Sequence, residues 1–221
     1  MDLDDALILF SYWRSSAAYR VRIALNVKGL DYEIRPVHLL RDGGEHRTDA
    51  YHKLNPQRLV PTLVHGERVF QQSMAIIEYL DEEFAGPALM PPDTRSRMHA
   101  RTISQMIACD IHPLNNLRVL SFLDELEVSA MVRKEWYRHW VVEGFTAVEH
   151  ALERSVATGL FCCGDQPTMA DACLIPQVYN ARRFDIDLGS YPLIRQVDEQ
   201  CSQLQAFVDA APENQPDAER P

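Results

Sequence analysis

The chain is short of several things, and each shortage removes a class of function. Lysine occurs only at Lys28, Lys53 and Lys134, and 32 acidic residues outnumber 22 basic ones for a net charge of −10. Such a balance argues against a nucleic-acid or anionic-membrane partner. No apolar run approaches the roughly 18 to 20 residues of a membrane-spanning helix. The start, Met1-Asp2-Leu3-Asp4-Asp5, is acidic and lacks the basic region of a signal peptide, so a cytoplasmic location is expected. Cysteine is sparse and oddly numbered: Cys109, Cys162, Cys163, Cys173 and Cys201. They form no Cys-x-x-Cys pair, and adjacent Cys162-Cys163 is poor zinc-ligand spacing. Buried thiols in a reducing compartment are expected, with no disulfide framework and no metal. Absent too are a Gly-x-Gly-x-x-Gly or other phosphate-binding glycine loop, Gly-x-Ser-x-Gly and His-Glu-x-x-His.

What is present reads as an ordinary globular protein of 221 residues, 46% hydrophobic and 24% charged. That length suits one or two domains with a substantial core. The organising stretch is Ser11 to Leu25. The apolar run Ala6 to Phe10 reads as a buried strand, followed by a polar turn and a helix from Ser16 to Val27 that stops at Gly29. Ser15 and Ser16 stand at the helix start, where unpaired N–H groups and a partial positive charge favour an anion. Tyr32 to Val37 reads as a second strand. A strand–helix–strand crossover makes the two strands parallel.

Asp49 to Leu54 reads as a short helix. Pro61 to His65 and Arg68 to Phe70 flank Gly66-Glu67 as a hairpin, and Ser73 to Phe84 is a helix with Ile76, Ile77, Leu80 and Phe84 at helical spacing. The Pro- and Gly-rich run Ala85 to Asp93 marks a linker. Beyond it the pattern is helical throughout: Thr94 to about Leu123, kinked near Pro113; Val128 to about Thr158; Thr168 to about Arg183; and Leu193 to Ala210. The polar tail from Ala211 to Pro221 is expected to fray. The expected fold class is thus α/β plus all-α: residues 1–86, a linker at 87–93, and an all-helical region over 94–221.

Several motifs have both a structural and a chemical reading. Val60-Pro61 before a short strand permits a cis bond, although trans is the default. In a βαβ–ββα module it is the pattern of the thioredoxin-like fold, in which the backbone before the proline pairs with an extended peptide ligand. Ser73 reads as an N-cap; alternatively Gln72 and the helix start at Ser73 hold a carboxylate. Thr168-Met169-Ala170-Asp171 is a capping box, so Asp171 is read as structural. His112, Asn116 and Arg118 either face a cleft or lie on a solvated helix face. Arg182 and Arg183 point about 100° apart, so at most one readily faces a given ligand.

These motifs together resemble the cytosolic glutathione transferases, and most closely their zeta class. Ser15-Ser16-Ala17-Ala18-Tyr19-Arg20-Val21-Arg22-Ile23-Ala24-Leu25 is similar to that class's Ser-Ser-Cys-x-x-Arg-Val-Arg-Ile-Ala-Leu. Asn55-Pro56, Val60-Pro61-Thr62-Leu63, Gln72-Ser73-x-Ala75-Ile76-Ile77, Gly164-Asp165, Met169-Ala170-Asp171, Pro176-Gln177-Val178, Arg183-Phe184 and Gln215-Pro216-Asp217 follow in the same order. The resemblance runs from about Leu7 to Asp217. One departure stands out: Ala17 occupies the position of the class cysteine. Since glutathione brings its own thiol, this puts thiol-dependent side activities in doubt more than isomerisation.

The resemblance implies a thioredoxin-like domain followed by an all-helical one. It implies glutathione as cofactor and cis–trans isomerisation of a maleyl dicarboxylate, maleylacetoacetate or maleylpyruvate, in aromatic-compound catabolism such as tyrosine degradation. The alternative is a general transferase with conjugating or peroxidase activity. Thiolate adds to the alkene, the resulting single bond rotates, and glutathione is eliminated. Ser15 and Ser16 become thiolate partners. Val60 pairs through its backbone with the cysteinyl part of glutathione, and Gln72 with Ser73 holds the γ-glutamyl carboxylate. His46, His112, Asn116 and Arg118 become further cofactor contacts, while Arg14 and Arg183 take the substrate carboxylates. A homodimer is the usual assembly of this fold.

Overall fold

In the computed structural model, which describes residues 6–219, the chain divides into two compact units. One comprises the residues up to Leu89 with the stretch from Gln203 onward; the other is Met90–Ser202. The acidic start, Met1 to Asp5, lies outside the described residues.

The first unit is built on a four-stranded sheet. Its strands are β1 (Leu7–Ser11), β2 (Glu33–Pro36), β3 (Thr62–His65) and β4 (Arg68–Gln71), in the order β2-β1-β3-β4. Alternating burial along β1 drives Leu7 and Leu9 into the core. Its register pairs Leu9 with Ile34 in parallel and with Leu63 antiparallel. The parallel crossover is α1 (Ser16–Val27), as the sequence predicts. Gly29, at φ +66°, ends it, with the Leu30 N–H returning to the Leu25 carbonyl. Helix α2 (Asp49–Leu54) precedes the hairpin, and α3 (Ser73–Glu83) follows it. The Val60-Pro61 bond is cis.

α1 is buried on more than one side. It packs against both α3 and α9 (Gln205–Ala210), so Arg20 and Arg22 are buried along with Val21, Ile23, Ala24 and Leu25. Each fully buried aliphatic side chain contributes about 1.5–3 kcal/mol.

The second unit is helical: α4 (Thr94–Gln105), α5 (Leu117–Glu125), α6 (Ala130–Arg154), α7 (Met169–Arg183) and α8 (Pro192–Cys201). Among the described residues its only β pairing is an isolated bridge between Phe161 and Gly164. The expected break near Pro113 spreads over a π-helical segment, Met106–Ile111, and a 3-10 turn, Pro113–Asn115. Ile111 lies so close to α6 that a Cβ on Gly144 would meet its Cγ1 at 2.2 Å. Glycine at 144 therefore sets the approach of the two segments.

Two expectations for the end of the chain are corrected. The single helix expected over Leu193 to Ala210 is α8 and α9, because Leu204 is extended (φ −91°, ψ 122°). The tail is folded through residue 219. Pro212 is buried, and Gln215 is buried with Nε2 donating to the Asp209 and Ala211 carbonyls, both at 2.8 Å. A polar composition reads as fraying only when its polar groups face water; here they satisfy backbone carbonyls. The last two residues lie outside the described range.

Candidate functional site

The β1–α1 loop presents the first cluster. Ser15 is the N-cap of α1, and its Oγ accepts from the Ala18 N–H at 3.2 Å. Capping uses an oxygen lone pair and leaves the hydroxyl hydrogen to donate to an anion. Ser15 is half-buried and Ser16 is buried. Arg14 is exposed, with its guanidinium 4.1 Å over the Trp13 ring. Beneath them, fully buried Arg22 donates to Ser11 Oγ at 3.0 Å, to the Trp13 carbonyl at 3.1 Å and to the Ala210 carbonyl at 2.9 Å. With the Tyr12 carbonyl at 3.5 Å as well, one guanidinium gathers these acceptors into a fixed geometry.

Val60 is buried, and among the described residues its backbone N–H and carbonyl have no hydrogen-bond partner. An unpaired donor and acceptor together suit pairing with an extended peptide. The turn that presents them is held from behind. Tyr51 Oη donates to the Leu59 carbonyl at 2.7 Å, and Asn55 Nδ2 donates to that carbonyl at 2.8 Å and to Thr62 Oγ1 at 3.0 Å.

The expectation that Ser73 is an N-cap is corrected. Gln72 is the N-cap, at φ 70°, and Ser73 begins α3. Ser73 Oγ is buried and accepts from Arg20 Nη1 at 3.2 Å, while Gln72 Nε2 donates to Gln57 Oε1 at 2.7 Å. The open start of α3, with no side-chain cap, suits a carboxylate. His46 sits in the 3-10 turn Glu45–Arg47. Its Nδ1 is buried without a partner among the described residues, and a Cβ on Gly44 would lie 2.4 Å from its Cε1. Burial, then the charges of Arg47 and Arg58, hold the imidazole below its usual pKa and favour the neutral ring.

In the helical unit, Asn116 caps α5, accepting from the Arg118 N–H at 3.1 Å, and its Nδ2 lies 3.4 Å from His112 Nε2. Arg118 is exposed. The paired arginines separate clearly: Arg182 bonds Asp198, whereas Arg183 lines a cleft of about 410 Å³ with Arg133, Lys134, Tyr137 and Phe184. Arg133 is bonded to Asp124, and Lys134 lies 3.9 Å from Asp185. Arg183 donates to Asn180 Oδ1 at 3.4 Å, lies 5.6 Å over the Phe184 ring, and among the described residues forms no ion pair with a carboxylate. Tyr137 stacks on Phe184 with centroids 3.7 Å apart. Burial pushes its phenol up, against the opposing charge of Arg183, so it stays a proton donor.

The sequence-predicted residues thus form two groups. Arg14, Ser15, Ser16, His46, Val60, Gln72 and Ser73 belong to the first unit; His112, Asn116, Arg118 and Arg183 belong to the second. Sequence reasoning missed the supports, namely Arg20, Arg22, Tyr51 and Tyr137. Asn55-Pro56 was visible as a motif, and its role was not. Among the described residues no cluster of His, Cys, Asp and Glu is placed to hold a metal, and no helix is long and apolar enough to cross a membrane.

Residues 9–88 match the glutathione S-transferase N-terminal domain family, and residues 134–210 match the glutathione S-transferase C-terminal domain family. The chain is 50% identical to a probable maleylacetoacetate isomerase of Vibrio cholerae, over 96% of this chain and 99% of the relative. A holo structure of maleylpyruvate isomerase, described as a bacterial zeta-class glutathione S-transferase, superposes with a TM-score of 0.92 at 46% identity, covering 96% of this chain and 100% of that one. A maleylacetoacetate isomerase of Methylobacterium extorquens AM1 with bound malonate and glutathione gives 0.92 at 37% identity, covering 96% and 100%.

Proposed function

This chain belongs to the glutathione S-transferase family, in its zeta class, and from that premise we propose how its residues divide the work. It has a thioredoxin-like domain and a helical domain, and it is a glutathione-dependent cis–trans isomerase of a maleyl dicarboxylate. Bound glutathione supplies the thiolate that adds to the double bond, leaves a single bond free to rotate, and departs.

The observation that carries the residue assignment is the start of α1: a capping hydroxyl with a hydrogen to donate, and no cysteine in the loop. Ser15, with Ser16, stabilises a thiolate that the ligand must bring. Val60 pairs its free backbone groups with the cysteinyl segment. Gln72 and Ser73 receive the γ-glutamyl carboxylate at the uncapped start of α3. Neutral His46 contributes a further contact, as do His112, Asn116 and Arg118. Arg14 and Arg183 are the carboxylate partners of the substrate, and they stabilise the charge that develops on its carbonyl oxygen. The reading extends to a cytoplasmic homodimer serving aromatic-compound catabolism, including tyrosine degradation.

Isomerase kinetics with and without glutathione test the reaction; turnover without it would remove the mechanism. Arg14→Ala and Arg183→Ala should each lower kcat/KM, by on the order of 10–100-fold for a lost positioning contact. Unchanged values in both would sink the carboxylate assignment. Comparing kcat/KM on maleylpyruvate and maleylacetoacetate identifies the preferred acid.

A further inference from the structure

The motif Gln215-Pro216-Asp217 has no part in the assignment above, yet its contacts lead to the β1–α1 loop. The Trp13 N–H donates to Asp217 Oδ2 at 3.0 Å. Trp13 is followed by Arg14 and Ser15, so this bond holds the backbone one and two residues ahead of the two side chains. The next residue, Ala218, packs on the small core of Tyr12, Trp13, Val37, Tyr51 and Val60. The tail thus contacts the same cluster that carries Val60. Upstream, Gln215 is tied to the Asp209 and Ala211 carbonyls, which fixes the approach to Asp217. Arg22 joins the two sides, with Nε on the Ala210 carbonyl and Nη2 on the Trp13 carbonyl.

We propose that Asp217 is a positioning residue, holding through the Trp13 backbone the loop that aims the Ser15 hydroxyl and the Arg14 guanidinium. The inference rests on the assignment of Ser15 and Arg14 given above. The physical basis is the charge-assisted bond of a carboxylate to a backbone N–H, roughly twice as strong as a neutral one. Without it, the loop would keep the Arg22 bonds to its carbonyls and lose the one that holds the Trp13 N–H. Because γ-glutamyl and cysteinyl contacts lie elsewhere, on α3 and Val60, the loop can move without releasing glutathione. The effect should therefore fall on the thiolate and on turnover, and leave the affinity for the protonated cofactor nearly alone.

The test compares Asp217→Ala with Asp217→Asn, which keeps an acceptor oxygen. Three readouts are used: the dissociation constant for glutathione, the ultraviolet titration of the bound thiolate, and isomerase kcat. Asp217→Ala should lower kcat on the order of tenfold. It should move the bound thiol's pKa back towards that of free glutathione and, at a pH below the bound thiol's pKa where the protonated cofactor is the form bound, change the dissociation constant by less than about threefold, the scale of a lost peripheral contact. Asp217→Asn, with a neutral acceptor, should recover part of both losses. Should the alanine variant not accumulate, Asp217→Glu displaces the same carboxylate by one methylene and must show the same pattern. A lowered Tm with unchanged kcat and thiolate titration would make Asp217 merely structural and overturn the proposal. The titration needs no maleyl substrate. A wild-type chain with a depressed thiol pKa but no isomerisation would therefore refute the reaction while leaving Asp217 under test.

Discussion

Gly44 and His46 show how one missing side chain sets another. Gly44 lies at φ +101°, and any Cβ there would also approach the Leu39 carbonyl to 2.8 Å. Gly44→Ala should cost about 1–3 kcal/mol in strain and weaken glutathione binding, read by thermal unfolding and calorimetric titration. His46→Gln makes a cleaner test of charge. The unfolded chain protonates this histidine near 6.5, and the folded chain does so at lower pH. Above 6.5 both states are neutral and the contribution is fully present. As pH falls through 6.5, the unfolded state alone gains a proton and stability declines, until folded His46 also protonates. Denaturant midpoints followed from pH 7.5 to about 5.5 should therefore fall more steeply for the native chain than for His46→Gln. Parallel slopes would refute the assignment. The sequence placed His46 in the loop, but nothing in it shows a ring buried against a glycine. Arg20 and Arg22 escaped for a related reason: an arginine reads as a surface residue until its acceptors are known, and Arg22's acceptors lie as far away as Ala210.

At the scale of elements, local chemistry was legible wherever a cap and a periodicity agreed. Thr168 caps α7 as its sequence indicates, and α1 begins at Ser16 as its sequence indicates, with Ser15 as its cap. Gln72 before α3 did not follow, because its positive φ is a tertiary constraint that a Gln-Ser pair does not announce. The break at Leu204 was equally silent, since Ser202-Gln203 carries no strong stop. The capping box of α7 does more than start a helix. Asp171 Oδ2 accepts from the Thr168 N–H at 2.7 Å and from its hydroxyl at 2.9 Å, and Oδ1 accepts from the Cys162 N–H at 2.8 Å. Burial raises its carboxyl pKa while those donors oppose it. Asp171→Ala would strand three buried donors, at a cost of about 3 kcal/mol. Urea unfolding should show that loss with kcat per folded molecule unchanged, whereas a change below about 1 kcal/mol would mean the segment re-pairs by itself.

At the scale of the molecule, the distribution of thiols separates what the chain supplies from what it must borrow. Cys162, Cys163, Cys173 and Cys201 are buried, and only Cys109 is exposed. Burial pushes the thiols of Cys162, Cys163 and Cys201 up, that of Cys163 to about 12, so none of these three is a ready thiolate at neutral pH. With Ala17 in the first turn of α1, the reaction has no protein thiol there. A small thiol reagent should therefore add one adduct to the native chain, at Cys109, and five after denaturation, since the remaining four open only with the core. The native single adduct should keep glutathione-dependent turnover, and Cys109→Ser should stay within about twofold of the native kcat, a surface-scale change. Activity lost in step with Cys109 labelling, and lost again in Cys109→Ser, would place a protein thiol in the reaction and remove Ser15 as the partner of a borrowed one. Activity retained in both leaves the helix start of α1 to act on a thiolate that arrives with the ligand.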